Sequence, residues 1–228
     1  MEDNIKMEEK VMDAFNKASN DYDKYRKQAI PNMEIYYNTV VKLTQEYENP
    51  KILDLGAGTG ILTQLLHQQH PNSDITLVDM STKMLDIARE KFKTTDFKYI
   101  EANYIEYDFN EKYDVIVSSL SIHHLTDEEK HLLYKRIHDI LNHGGVFINA
   151  DQVNGETDYT EELYKKQDES YLAKQDIPEK EKKILRQRRT LDKPAKLSDT
   201  INWYKQIGYR NVDVYYKYYR YFVIAGEK

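Results

Sequence analysis

An α/β fold built on a mostly parallel sheet is what this sequence predicts, and three observations predict it. From about residue 50 onward, short apolar runs alternate with segments of helical period. Three glycines, Gly56, Gly58 and Gly60, crowd between an apolar run that ends in Asp54 and Leu55 and the helix-like "ILTQLL". The chain closes on "YRNVDVYYKYYRYFVIAGEK", which reads as two strands around a tight turn near Lys217.

Taken in order, "KILDL" (51–55) is a short buried strand and 61–69 a helix; "DITLVD" (74–79) is a strand and 81–92 a helix. "FKYIEA" (97–102) and "YDVIVSSL" (113–120) are strands, 127–141 is a helix stopped by "NHGG", and "GVFINADQ" (145–152) is another strand. Strand, helix, strand at this spacing means parallel pairing through right-handed crossovers. Ahead of this rhythm, 4–19 and 27–48 read as helices, with Pro31 interrupting or opening the second. The rhythm breaks over 155–196, which is polar, lysine-rich and expected to be helical. No internal repeat or low-complexity linker is visible.

Composition sets the bounds. The 228 residues suffice for one large domain; 40% are hydrophobic, enough for a sizeable core, and 32% are charged. No apolar run approaches the roughly 20 residues of a membrane helix, and the charged start "MEDNIKMEEK" does not read as a signal peptide. Cysteine is absent, which removes disulfides and thiolate chemistry. The net charge of −6 disfavours nucleic acid as a partner. The expectation is a cytoplasmic monomer or homodimer acting on a small molecule.

A glycine loop leaving a strand and entering a helix sits at the carboxyl edge of a parallel sheet, where ligands bind. The spacing is G-x-G-x-G, not the G-x-G-x-x-G of dinucleotide enzymes, and no Lys-Ser/Thr pair follows as in a P-loop. Asp79 ends the next strand about 20 residues on, the distance at which an acid meets ribose hydroxyls. A ribose-bearing ligand without a pyrophosphate suits both facts. Asp54 either caps the loop or touches that ligand.

From about residue 20 to the C-terminus the sequence resembles the class I S-adenosylmethionine-dependent methyltransferases, on four motifs in order. "LDLGAGTG" resembles the first, with Gly56, Ala57, Gly58 and Gly60 in the loop. "LVDMSTKML" resembles the second, where the resemblance has Asp79 hold ribose and Met80 pack on adenine. "EANYIEYDF" resembles the third, with Asn103 and Tyr104 at the adenine edge. "YDVIVSSLSIHHL" resembles the fourth, whose strand end at Ser119 faces the methyl donor. The family implies a Rossmann-like, seven-stranded sheet of order 3-2-1-4-5-7-6 with strand 7 antiparallel and helices on both faces. It also implies S-adenosyl-L-methionine as cofactor, a helical lid over 1–48, and a cofactor-binding domain over 49–228 with 155–196 as a helical cap. "NDYDKYR" resembles the lid, where Tyr22, Tyr25 and Arg26 would close over the cofactor's methionine end.

The reaction expected is in-line methyl transfer, with a base needed only if the acceptor must lose a proton early. His123 is the first candidate base and Asp151, at the end of the fifth strand, the second. Adjacent residues point apart, so at most one of His123 and His124 faces the donor; His124 joins Tyr22 and Arg189 as a candidate acceptor contact. Tyrosines 25, 159, 164 and 171 either line the acceptor pocket or pack helices. No metal site is expected, because "HH" presents no i, i+4 face and no thiolate is present. Arg189 lies in the basic run "KEKKILRQRRTLDKPAK". The segment "QRRT" is similar to one in carboxy-S-adenosylmethionine synthases, an alternative activity, where this arginine binds the cofactor's extra carboxylate. The glycine loop and Ser119 depart from that group's cysteine–serine variant and asparagine. Arg189 then grips an acceptor carboxylate instead, or belongs to a solvated helix face.

Overall fold

In chain order the strands are β1 (Ile52–Leu55), β2 (Ile75–Asp79), β3 (Lys98–Glu101), β4 (Tyr113–Ser119), β5 (Leu141–Gln152), β6 (Arg210–Tyr218) and β7 (Tyr221–Glu227). The helices are α1 (Tyr22–Ala29), α2 (Met33–Lys42), α3 (Ile61–Gln69), α4 (Thr82–Lys91), α5 (Asp127–Ile140), α6 (Asp158–Ala173), α7 (Glu179–Arg189) and α8 (Leu197–Ile207). This computed structural model describes residues 22–228; the helix expected over 4–19 lies outside the described residues. The strands form one sheet of order β3-β2-β1-β4-β5-β7-β6. β1 to β5 pair in parallel, and β7 runs antiparallel to both its neighbours.

The apolar runs are buried on both faces, which is why they read as nearly continuous rather than alternating. Ile52, Ile75, Leu77, Val115 and Val117 face α2, α3 and α4, while Leu53, Leu55, Val78, Ile116 and Phe147 face α5 and α8. α2, within the expected lid, packs into the first of these clusters, with Tyr36 and Val40 fully buried. The helical stretch expected over 27–48, with Pro31 interrupting or opening it, does break there: α1 ends before Pro31, and Asn32, left-handed at φ 53°, starts α2, which ends at Lys42. The polar stretch over 155–196, expected to be helical, holds two helices, α6 and α7, parted before Pro178, which caps α7. A small cluster of Ala29, Leu172 and Ile177 joins α1 to this insert.

The final turn differs from expectation. It falls at Tyr219 and Arg220, because Lys217 still pairs with Phe222 and Tyr218 with Tyr221. Tyr219 takes φ 48°, and the Arg220 side chain is buried against Asp168 of α6. A tertiary ion pair therefore fixes a turn that no Gly or Asn announces.

Candidate active site

The carboxyl ends of β1, β2 and β4 open on a cleft lined by the glycine loop, Asp54, Asp79, Met80, Asn103, Tyr104 and Ser119. The three loop glycines all have positive φ, but they are needed for different reasons. A Cβ on Gly60, at φ 74°, would meet the Phe92 ring at 2.6 Å, so that glycine admits α4 against the loop. A Cβ on Gly58, at φ 56°, would meet nothing within 4 Å and would project into open space. Gly60 does not line the cleft; Gly56, Ala57 and Gly58 do.

Asp79 spends one bond from each carboxylate oxygen on the backbone: Gly58 N donates to Oδ2 and Ser81 N to Oδ1, both at 2.8 Å. A carboxylate oxygen has two lone pairs, so each retains one for a ligand hydroxyl. Burial pushes the Asp79 carboxyl up, opposed by these amides. Asp54 is more strongly perturbed. Thr63 Oγ1 donates to its Oδ2 at 2.5 Å, its buried Oδ1 has no partner, and burial raises its pKa to about 7. Such an oxygen favours a cationic partner. Across the cleft, Tyr104 Oη and Ser121 Oγ lie 2.9 Å apart, and Ser119 Oγ donates to Tyr37 Oη at 2.9 Å.

A second cavity adjoins the cleft, and Arg26, Leu120 and His124 line both. Tyr25, expected at the cofactor, and Arg189 line the second cavity instead. Arg189 Nη1 lies 3.9 Å from Asp168, whose carboxylate is engaged more closely by Arg220. Of the other tyrosines considered, 159, 164 and 171 do not line it; Tyr159 is 78% exposed and Tyr164 packs beneath Lys217 Nζ. The side chain of Tyr22 lies outside the described residues.

The geometry around the two candidate bases is constrained. His123 Nδ1 lies 2.5 Å from Asp151 Oδ1, and its Nε2 lies 3.4 Å from Asp192 Oδ1. Both ring nitrogens therefore face carboxylates, and neither is offered to an acceptor. Burial alone would lower the His123 pKa; the two carboxylates outweigh it and raise it, while burial and the neighbouring imidazole push His124 down. Asp151 lines neither cavity, and it accepts from the His123 ring, the His123 amide and the Gln152 amide. Its hydrogen bonds hold the His123 ring and turn in place.

Other cleft residues escaped the sequence reading: Tyr37 of α2, Ser121, Glu129 and Lys193. Only Glu129 has a local signal, as the acid of a capping box with Thr126. Asp23 of α1 was also missed. It accepts from Thr59 Oγ1 at 2.5 Å and from Lys91 Nζ at 2.9 Å, strapping α1 to the glycine loop.

Comparison with known proteins places this architecture. Residues 52–145 match the family model for a methyltransferase domain. The chain is 29% identical over 140 residues to malonyl-[acyl-carrier protein] O-methyltransferase 1 of Ilyobacter polytropus, covering 60% of this chain and 49% of that one. A crystal structure of an S-adenosylmethionine-dependent methyltransferase from Clostridium acetobutylicum superposes with a TM-score of 0.64 at 16% identity, covering 91% and 99% of the two chains. Human N-acetylserotonin methyltransferase, crystallised with S-adenosylmethionine, gives 0.60 at 17% identity over 84% and 55%. These likenesses support a class I S-adenosylmethionine-dependent methyltransferase, with residues 52–145 matching the methyltransferase domain itself. It spans about half the length of the curated relatives it matches.

The family's cofactor is S-adenosyl-L-methionine, and the cleft fits it on three observations. Gly58 leaves open the space a side chain would fill, Asp79 keeps acceptor capacity at the end of β2, and the orphaned Asp54 Oδ1 suits a positively charged ligand.

Proposed function

We propose that the protein transfers a methyl group from S-adenosylmethionine to a small anionic acceptor, best matched by a carboxylate, held in the second cavity. The carrying observation is the placement of Arg189: it fronts a cavity that meets the cofactor cleft at Leu120 and His124. Its ion pair with Asp168 spans 3.9 Å, beyond hydrogen-bond length, and Tyr221 takes one hydrogen bond from it, so the remaining N–H groups of its planar fork can serve an anionic partner. The net charge of −6 supports a small molecule over nucleic acid. The printed name of the Ilyobacter relative, an O-methyltransferase acting on a malonyl group, agrees with an oxygen acceptor.

In this reading Asp79 accepts from the ribose hydroxyls, Met80 packs on the adenine, and Asn103 with Tyr104 borders the adenine edge. Asp54 receives the cofactor's cationic end, and Arg26 joins the two cavities above it. Bound there, S-adenosylmethionine supplies a methyl group already attached to a good leaving group. A carboxylate acceptor held by Arg189 would attack with its own charge, forming the O–C bond as the S–C bond broke with its electron pair left on sulfur. No side chain has to remove a proton, which agrees with His123 having both nitrogens facing carboxylates. Alignment and exclusion of water remain the protein's work. The strap through Asp23 and the cluster joining α1 to the insert fix α1, whose Arg26 lines both cavities.

The test is methyl transfer from labelled S-adenosylmethionine to a panel of small mono- and dicarboxylates, with Arg189→Ala alongside the natural protein. Transfer to a carboxylate is expected, and Arg189→Ala should lose at least about tenfold in kcat/KM. Its affinity for S-adenosylhomocysteine should stay within about twofold, as for a change outside that site. Turnover unaffected by the substitution would overturn the reading. Carboxy-S-adenosylmethionine found in the purified protein, and lost from Arg189→Ala, would replace it with the synthase reading.

A further inference from the structure

We propose that His123, His124 and Asp192 form a binding site for a divalent transition-metal ion in the wall of the second cavity. One donor atom from each lies within 4.8 Å of the others. His123 Nε2 and His124 Nδ1 each approach the same Asp192 Oδ1 at 3.4 Å. Donors bound at about 2.0–2.1 Å around a tetrahedral ion sit roughly 3.3 Å apart, so both contacts already have the spacing of adjacent ligands. The missing i, i+4 face is no obstacle to this arrangement. The two rings sit in a single 3-10 turn, Ile122–His124, with centroids 4.1 Å apart, and the third donor arrives from the loop after α7.

The surroundings hold these donors as a metal site requires. Asp151 Oδ1 engages His123 Nδ1 at 2.5 Å, which turns Nε2 toward Asp192; a carboxylate behind a histidine is the usual partner of a ligating imidazole. Gln152 Nε2 donates to Asp192 Oδ2 at 2.5 Å, leaving Oδ1 toward the two rings. Lys193 N donates to His123 O at 2.7 Å, tying the Asp192 segment to the turn. All three donors line the second cavity, so a fourth position opens onto it for water or an oxygen ligand. Two imidazole nitrogens and one carboxylate select zinc-like or iron-like ions over magnesium and calcium. The proposal does not rest on the acceptor reading, since metal binding needs neither cofactor nor acceptor.

The test is calorimetric titration of the EDTA-treated full chain with Zn²⁺, with Co²⁺ absorption as a report on ligand geometry. One equivalent should bind, and the Co²⁺ form should show the visible bands of a four-coordinate nitrogen and oxygen site. Asp151→Asn, which keeps an acceptor for the backbone amides while weakening the hold on the His123 ring, should weaken Zn²⁺ about tenfold, within the ~10–100-fold typical of such partners. Asp192→Asn and His124→Ala should weaken it more than that. Zn²⁺ should raise the melting temperature of the natural protein but not of Asp192→Asn, and exposed His143→Ala should bind as the natural protein does. If Asp192→Asn does not fold, His124→Ala and Asp151→Asn carry the comparison. Absence of Zn²⁺ binding, equal affinity in the ligand variants, or loss on His143→Ala would overturn the proposal.

Discussion

The cofactor cleft and the second cavity share Arg26, Leu120 and His124 in their walls, yet they are assembled in opposite ways. The cleft is made largely at the ends of consecutive parallel strands, where backbone amides and single carboxylates do the work. Asp79, for instance, is fixed by two amides from the loops beside it. The second cavity is made from side chains of α1, the turn after β4, the end of β5 and the segment around α7, held by buried ion pairs. The difference teaches where the chemistry is fixed and where it varies. A βα loop presents the same cradle wherever the fold occurs, whereas an insert supplies whatever groups its own acceptor requires.

The sharpest way to break this comparison is to fill the cleft. Gly58→Val places methyl groups in the open space at the loop and should weaken S-adenosylhomocysteine binding at least about a hundredfold, near 2.7 kcal/mol. The new Cβ meets no neighbour within 4 Å, but a β-branched residue is strained at φ 56°, so the protein should fold with a lowered melting temperature, which thermal melting checks before binding is compared. Full-strength binding by a folded Gly58→Val protein would remove the loop from the cofactor site.

A smaller effect comes from Asp54. Its pKa is raised from 3.8 to about 7, chiefly by burial, so the folded state holds this proton more tightly than the unfolded chain. The contribution favours folding below the ordinary value and is lost as pH rises through about 7. A cationic ligand at Oδ1 reverses the preference. Cofactor binding between these limits should release a proton, and affinity should rise with pH by up to about tenfold per unit before flattening above about 7. Titrations in buffers of different ionisation enthalpy measure the release, and Asp54→Asn should reduce it. Release unchanged in that variant would return Asp54 to the role of a loop cap.

The same contrast explains what the sequence disclosed. The parallel strand–helix rhythm, the glycine loop and Asp79 were legible because strand period and glycine spacing are local signals, whereas the sheet order, the antiparallel β7 and the lining from Met80 to Ser119 came from the resemblance. The roles of His123 and Asp151 were not. That His123 is clamped between Asp151 and Asp192 depends on the loop after α7 folding back onto the end of β4, which no spacing reveals. Tyr37 escaped for a similar reason, as α2 reads as one amphipathic helix among others until it packs over β4 and meets Ser119. The turn at Tyr219 and Arg220 was displaced by the buried Asp168–Arg220 pair, another long-range effect.

The central claim is that the cleft holds S-adenosylmethionine through Asp79, and calorimetric titration of S-adenosylhomocysteine into the natural protein and Asp79→Ala tests it most directly. Losing a charged acceptor that serves both ribose hydroxyls should weaken binding by roughly 1.5–3 kcal/mol, about ten- to a hundredfold or slightly more. Equal affinity in the two folded proteins would contradict the account.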